Sequence, residues 1–244
     1  MNIMENNLTA ESPSGNMTIF MASPDMKDKK LPVVIVFQEA FGVNSHIKDI
    51  CRRLAAQGFI ALAPELYHRD GNQITFTYQE KDLFMQFMGR LTNQGLIDDT
   101  QTCFSFMELL AHADVKNVFT MGFCMGGFTS LLVATRFQLK GAISFYGAGV
   151  VRERAGIGPK PFVDTLIEAR CPLLLFYGEN DVSIPESDRF AIRAKLDEAH
   201  IPHEMTVFGK SDHGFFCDER KTYNPVASTL AWDKSLGWMK NLIN

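Results

Sequence analysis

A tight turn between a strand and a helix is the feature that most restricts how this chain can fold. The strand-like residues 115–121 run into Gly122-Phe123-Cys124-Met125-Gly126-Gly127, and residues 125–137 have helical spacing. The glycines around Cys124 lack the Cβ atoms that would collide in so sharp a turn. The turn predicts a strained Cys124 whose thiol projects above the sheet edge at a helix N-terminus, where the helix dipole favours a thiolate. A buried structural cysteine in a glycine-rich turn is the alternative interpretation.

Segments with strand and helix character alternate along almost the whole chain. Apolar runs rich in β-branched residues are typical of strands that are covered on both faces. Strands are predicted at residues 16–21, 31–37, 59–63, 115–121, 139–146, 172–177 and 203–208. Helices are predicted at residues 46–57, 76–90, 96–113, 125–137, 186–200 and 226–242. This alternation predicts an α/β fold with a mostly parallel central sheet and helices on both faces.

Length and composition narrow the class of protein further. We expect one domain over residues 1–244, in which the polar residues 1–15 form a poorly ordered N-terminal extension. The net charge of −4 gives no reason to expect nucleic acid or an anionic membrane as a partner. The five cysteines are odd in number and form no C-x-x-C pair, which argues against a disulfide framework or a zinc ribbon. With no signal-peptide stretch and no apolar run of membrane-spanning length, a cytoplasmic protein is expected.

Two polar residues further along the chain follow predicted strands. Asp181 lies in the loop after residues 172–177, and His213 lies in the loop between the last predicted strand and the last predicted helix. The turn around Cys124 is similar to the nucleophile elbow of α/β-hydrolases, in which nucleophile, acid and base follow one another in this order. The three residues therefore predict a Cys-His-Asp triad. Glu179 is a local rival for the acid, and an Asx turn is the ordinary interpretation of Asp181.

The loop after residues 31–37 is where an α/β-hydrolase supplies part of its oxyanion hole. Here the second N–H donor would be that of Ala40, beside the N–H of Met125 after the nucleophile. Glu39 is an unexpected residue in this loop, because a carboxylate at the end of a buried strand must find a partner. From the residues alone, an exposed loop glutamate is the favoured interpretation.

Five stretches together resemble the dienelactone hydrolases, also called carboxymethylenebutenolidases. They are Gln-Glu-Ala-Phe-Gly-Val-Asn (38–44), Ala-Pro-Glu-Leu-Tyr (63–67), Gly-Phe-Cys-Met-Gly-Gly (122–127), Gly-Glu-Asn-Asp-x-x-x-Pro (178–185) and Asp-His-Gly-Phe (212–215). The resemblance implies that Cys124 attacks a lactone or ester carbonyl while His213, oriented by Asp181, acts as the base. It also implies that Glu39 is an active-site residue that interacts with the resting thiol. A small-molecule ester or lactone is the implied substrate, and neither a cofactor nor a metal is required.

One departure from the family pattern concerns how a substrate carboxylate would be held. The family's arginine four residues after the catalytic histidine is replaced here by Cys217, and Arg220 follows three residues later. The segment 76–83 offers only Lys81 as a second cation. The remaining candidates for substrate binding are Arg152 and Arg154, in the loop after residues 139–146, together with Phe41 and Tyr146.

Two other functions remain open from the sequence. A general carboxylesterase or thioesterase would use the same site chemistry with a different pocket. A binding module without activity is the other alternative, although an intact triad argues against it. A monomer or a homodimer is expected.

Overall fold

The structure, a computed structural model, describes residues 2–26 and 29–243. One eight-stranded sheet has the strand order β1-β2-β4-β3-β5-β6-β7-β8. The strands are β1 (Ile3–Ser12), β2 (Gly15–Pro24), β3 (Leu31–Phe37), β4 (Ile60–Pro64), β5 (Ala113–Phe123), β6 (Gly141–Phe145), β7 (Leu173–Gly178) and β8 (His203–Phe208). From β4 to β8 all neighbouring strands are parallel, whereas β1–β2 and β2–β4 are antiparallel. The predicted mostly parallel α/β sheet is confirmed.

Six α-helices accompany the sheet in the part of the chain that the structure describes. They are α1 (Ser45–Ala56), α2 (Lys81–Arg90), α3 (Asn93–Met107), α4 (Met125–Ala134), α5 (Glu186–Glu198) and α6 (Pro225–Ile243). Every residue of β4, β6 and β7 is buried, as expected for parallel strands covered on both faces. Helix α4 is buried along its whole length and packs on β5 and β6. Across residues 2–26 and 29–243, no helix combines the length and the apolar character that crossing a membrane would require.

The N-terminal prediction was wrong. Ile3–Ser12 is not a poorly ordered extension but strand β1, which pairs with β2 along its full length, from Ile3 opposite Pro24 to Ser12 opposite Gly15. The strand lies at the sheet edge and buries only Ala10, so its sequence lacks the apolar run by which the other strands were predicted. Arg52 on α1 binds Glu5 through two hydrogen bonds and ties this edge to the body of the protein.

The helix predicted at residues 76–90 begins five residues later, at Lys81. Thr77 donates hydrogen bonds from both its amide and its hydroxyl to the Glu80 carboxylate, which stabilises a turn in place of a first helical turn. The Phe76 amide also donates to the carbonyl of Phe41 (3.0 Å). These contacts attach the segment to the loop that contains Glu39.

Candidate active site

The candidate residues all follow strands at one edge of the sheet. Glu39 comes after β3, Cys124 after β5, Tyr146 after β6, Asp181 after β7 and His213 after β8. Parallel strands bring their carboxyl ends to the same edge, so residues far apart in sequence converge there.

The turn around Cys124 has the predicted strained geometry. Cys124 has φ 56° and ψ −112° and stands at the N-terminus of α4. A Cβ atom on Gly122 would lie 1.9 Å from the carbonyl oxygen of Gly126, and one on Gly126 would lie 2.2 Å from that of Phe37. Only glycine fits at both positions. The structure leaves Cys124 partly exposed, which does not agree with the alternative of a fully buried structural cysteine.

Asp181 and His213 form the predicted pair. Oδ2 of Asp181 lies 2.7 Å from Nδ1 of His213, and Oδ1 accepts a hydrogen bond from the amide of Ser183 (2.9 Å). Asp181 is only 2% exposed, so both its oxygens are held away from water. The rival Glu179 is exposed and accepts a hydrogen bond from the Lys210 amide instead. The arrangement orients the imidazole with Nε2 free to face the thiol.

The charges around Cys124 favour a thiolate beside a protonated imidazole. Burial opposes ionisation of the thiol most strongly, but the positive charge and the hydrogen bond of His213, with the charge of Arg220, together outweigh it, so the pKa of Cys124 lies below its usual value. Burial likewise disfavours the imidazolium, but Cys124 and Asp181 together raise the pKa of His213 to about 10. The negative charge of Glu39 raises the pKa of Cys124 and so disfavours the thiolate, whereas the positive charge of Arg220 lowers it.

Glu39 is fully buried, so the prediction from the residues alone, an exposed loop glutamate, was wrong. Its Oε1 accepts a hydrogen bond from Nη1 of Arg220 (3.1 Å), and its Oε2 is buried with no hydrogen-bond partner in the described residues. Within those residues, Glu39 makes no hydrogen bond to the thiol of Cys124. Arg220 therefore holds the carboxylate in this structure, and the contact between Glu39 and the resting thiol stays a prediction.

Two backbone amides are placed where an oxyanion hole is expected. Met125 is the first residue of α4, and the N–H groups in the first turn of a helix have no acceptor within the helix. The amide of Met125 is therefore available to a ligand. The amide of Ala40 belongs to the peptide after Glu39. The side chain of Gln38 stabilises this peptide, since it donates to the carbonyl of Glu39 (3.4 Å) and accepts from the amide of Leu66 (3.1 Å). The role of both amides stays a prediction.

The structure separates the candidate cations for substrate binding. Arg152 is paired with Asp188, which compensates its charge, and also donates a hydrogen bond to Ser187. Arg154 is half-buried and has no acidic partner among the described residues. Both arginines line a small cavity with Met125, Phe128 and Met88, whereas the exposed Lys81 does not. The cavity adjoins the oxyanion candidate Met125, and of its two arginines Arg154 is the one without an acidic partner.

The two aromatic candidates have different surroundings. Tyr146, at φ 40°, packs its ring edge-on against His213 (5.1 Å between centroids), and its buried hydroxyl has no hydrogen-bond partner in the described residues. Burial raises the pKa of this phenol well above its usual value. Phe41 is buried, packs edge-on against Tyr78 and lies under the guanidinium of Arg220 (5.7 Å). Tyr146 therefore packs against the imidazole of His213, and Phe41 packs against the ion pair of Glu39 and Arg220.

Arg220 and Gln38 are the site residues that sequence reasoning did not select. A signal for Arg220 was available: it lies only seven residues after His213, so turns in this segment could keep it close to the site. Backbone hydrogen bonds from Cys217 to Gly214 and from Arg220 to Cys217 produce these turns. Gln38 gave no comparable signal, because its role depends on the Leu66 amide, which comes from a distant part of the chain.

The sheet order, the elbow and the three converging loops define an α/β-hydrolase fold with a cysteine in the elbow. The sequence model of the dienelactone hydrolase family matches residues 17–243. The chain belongs to the dienelactone hydrolase family and is a hydrolase of this type.

Individual relatives agree with this assignment. A protein of Escherichia coli K12 named "Putative carboxymethylenebutenolidase" is 35% identical over 230 residues, which cover 94% of this chain and 84% of that protein. A protein of Synechocystis with the same name is 33% identical and covers 91% of each chain. The crystal structure of a Klebsiella pneumoniae protein described as a "Putative Dienelactone Hydrolase" superimposes with a TM-score of 0.90 at 33% identity, over 98% of this chain and 99% of that one.

Proposed function

We propose that the protein hydrolyses a lactone or carboxylic ester through an acyl-enzyme on Cys124. The observation that carries this proposal is the strained Cys124 at the N-terminus of α4, in the field of a His213 that Asp181 holds at 2.7 Å. A thiolate is the nucleophilic form of cysteine, and a neighbouring imidazolium can then protonate the leaving group.

In the proposed reaction the Cys124 sulfur forms a bond to the substrate carbonyl carbon, and the carbonyl oxygen becomes an oxyanion. The amides of Met125 and Ala40 donate hydrogen bonds to that oxyanion. The carbon–oxygen bond to the leaving group then breaks, and His213 gives its proton to the leaving alkoxide. A water molecule, deprotonated by His213, attacks the resulting thioester, which releases the acid and restores the thiolate.

The cavity beside Met125 indicates where the acyl group of a substrate would enter. Its free volume of about 10 Å³ holds no more than one water molecule, so an acyl group enters only if the wall opens. Met88, Phe128 and Ile157 contribute apolar side chains to the wall, and Arg152 and Arg154 contribute guanidinium groups. A small apolar acyl group with a carboxylate near Arg154 would match this lining. Esters and thioesters without a carboxylate are the second candidate substrates, because the apolar side chains accept them as well.

The test compares Cys124→Ala with the wild type on lactones, aryl esters and thioesters. Loss of a triad nucleophile costs roughly a thousandfold or more in rate. The matched control is Cys171→Ser, because Cys171 is a buried cysteine outside the site and its replacement should leave turnover unchanged. Acid quenching of the wild type during turnover of an activated ester should give a peptide acylated at Cys124. Wild-type turnover in Cys124→Ala, or an acyl group on another residue, would refute the proposal.

A further inference from the structure

Three buried side chains next to the candidate active site form a cluster that the hydrolytic mechanism does not use. They are Glu39, His46 and Cys217, and one donor atom from each lies within 4.8 Å of the other two. His46 comes from α1, Glu39 from the loop after β3 and Cys217 from the loop after β8. We refer to them as the Glu39–His46–Cys217 cluster.

Two polar atoms of the cluster residues have no hydrogen-bond partner within the described residues. They are Oε2 of Glu39 and Nε2 of His46, on side chains that are 1% and 3% exposed. Buried polar atoms without a partner cost free energy, so such atoms in a native structure call for an occupant. Sγ of Cys217 is hydrogen-bonded to the hydroxyl of Tyr78 (3.2 Å).

We propose that the Glu39–His46–Cys217 cluster binds a thiophilic divalent cation of the Zn²⁺ class. A carboxylate oxygen, an imidazole nitrogen and a thiolate are ligands that Zn²⁺ accepts, at about 2.0–2.3 Å from the metal. In a tetrahedral site such donors are roughly 3.3–3.7 Å apart, so movements of about 1 Å bring the three atoms into place. Binding replaces the proton of the Cys217 thiol with the metal and releases that proton, and a water molecule completes the coordination.

The surroundings of the cluster allow a metal ligand set to form. Nδ1 of His46 lies 4.0 Å from a carboxylate oxygen of the exposed Asp218, which is too far for a hydrogen bond. A movement of about 1 Å would let Asp218 orient the ring, as carboxylates do for metal-binding histidines. Arg220 binds the other oxygen of Glu39, so Oε2 can bind a cation while the ion pair remains. Arg220 compensates one of the two negative charges of the Glu39 carboxylate and the Cys217 thiolate, and Asp218 supplies a further negative charge beside His46.

Cation binding has a consequence for the proposed hydrolysis, and that part of the inference rests on the proposed function. The cation is not needed for any step. A cation that holds Oε2 restrains Glu39, and acylation should slow if Glu39 must move or take up a proton when substrate arrives. The cluster would then make the enzyme sensitive to the free concentration of such a metal.

Cobalt titration tests the site without reference to turnover. Chelator-treated full-length protein is titrated with Co²⁺ while the thiolate-to-cobalt charge-transfer absorption is recorded, and Zn²⁺ is then added to displace it. We expect one equivalent of Co²⁺ to bind with this absorption. Cys217→Ser should abolish the absorption, and His46→Gln should weaken binding at least tenfold. Cys171→Ser is the matched control and should behave as the wild type.

Two outcomes would overturn the site. One is a wild-type protein that binds no Co²⁺ or Zn²⁺, which would leave a buried water as the occupant of the cluster. The other is an absorption that survives in Cys217→Ser but disappears in Cys124→Ser, which would place the metal on the nucleophile. Circular dichroism spectra establish that each variant is folded. If Zn²⁺ binds at the cluster but ester hydrolysis stays unchanged, the site stands and only the proposed inhibition of hydrolysis by the metal is overturned.

Discussion

Replacing Arg220 by methionine should destabilise the protein, and a second substitution at Glu39 should recover part of the loss. Nη1 of Arg220 lies 3.1 Å from Oε1 of Glu39, and the side chains are 20% and 1% exposed. At an effective dielectric constant of about 20, the attraction at this distance is roughly 5 kcal/mol. Removing one partner of a buried ion pair typically costs about 3–5 kcal/mol, because an uncompensated charge remains.

Most of that cost should come from the carboxylate that is left behind. Glu39 is fully buried, and its Oε1 accepts a hydrogen bond from Arg220. Glu39→Gln keeps the size of the side chain and removes its charge, and an unpaired neutral amide costs about 1–3 kcal/mol. The double variant Glu39→Gln/Arg220→Met should therefore be more stable than Arg220→Met by roughly 2 kcal/mol.

Urea unfolding followed by circular dichroism measures the free energy of unfolding of the wild type, the two single variants and the double variant at one pH. The Glu39→Gln variant is the matched control that completes the double-mutant cycle. A double variant that is no more stable than Arg220→Met would refute the reasoning that an unpaired charge on Glu39 causes the loss.

Three further predictions concern the site. His213→Ala should raise the pKa of Cys124, because burial then acts without the opposing charge of the imidazole. Iodoacetamide labelling of Cys124 at pH 7 should therefore slow, and an unchanged pH profile of labelling would exclude an ion pair between Cys124 and His213. Asp181→Asn should lower kcat by about 10³–10⁴-fold, because it alters the hydrogen bond that orients the imidazole of His213. A loss of less than tenfold would contradict this orienting role of Asp181. Arg154→Met should lower kcat/KM for a carboxylated lactone by roughly 10–150-fold, the equivalent of a charge-assisted hydrogen bond. The neutral methyl ester of that lactone should be unaffected, and an equal loss on both substrates would mean that Arg154 only supports the wall of the cavity.

The parts of the fold that the sequence predicted share a local signature. Buried parallel strands are apolar throughout, and the elbow needs glycine at fixed positions, so both can be recognised without knowledge of the rest of the chain. Cys124 and Asp181 could be selected because each follows a strand that ends in a buried apolar run. His213 could be selected from its position after the last strand and before the last helix, although β8 buries none of its residues. Strand β1 could not be predicted this way, because its stability comes from pairing with β2 and from the Arg52–Glu5 contact.

The surroundings of Glu39 had no such local signature. The sequence places this residue at the end of a strand, which is compatible with either an exposed or a buried carboxylate. Its neighbours in the structure include His46 from α1 and Cys217 and Arg220 from the segment after His213, which come from separate parts of the chain. Only the resemblance to a family suggested an active-site role, and the residue that holds Glu39 in this structure is Arg220.

The turns that follow His213 bring both Cys217 and Arg220 to Glu39, and the guanidinium of Arg220 binds its carboxylate. Because Arg220 is bound to a buried carboxylate, its charge is already compensated when substrate arrives. A substrate carboxylate must therefore be recognised elsewhere, and Arg154 is the unpaired cation on the cavity beside Met125. Substrate selection and control of the thiol would then depend on different arginines, so each could be altered by substitution without loss of the other.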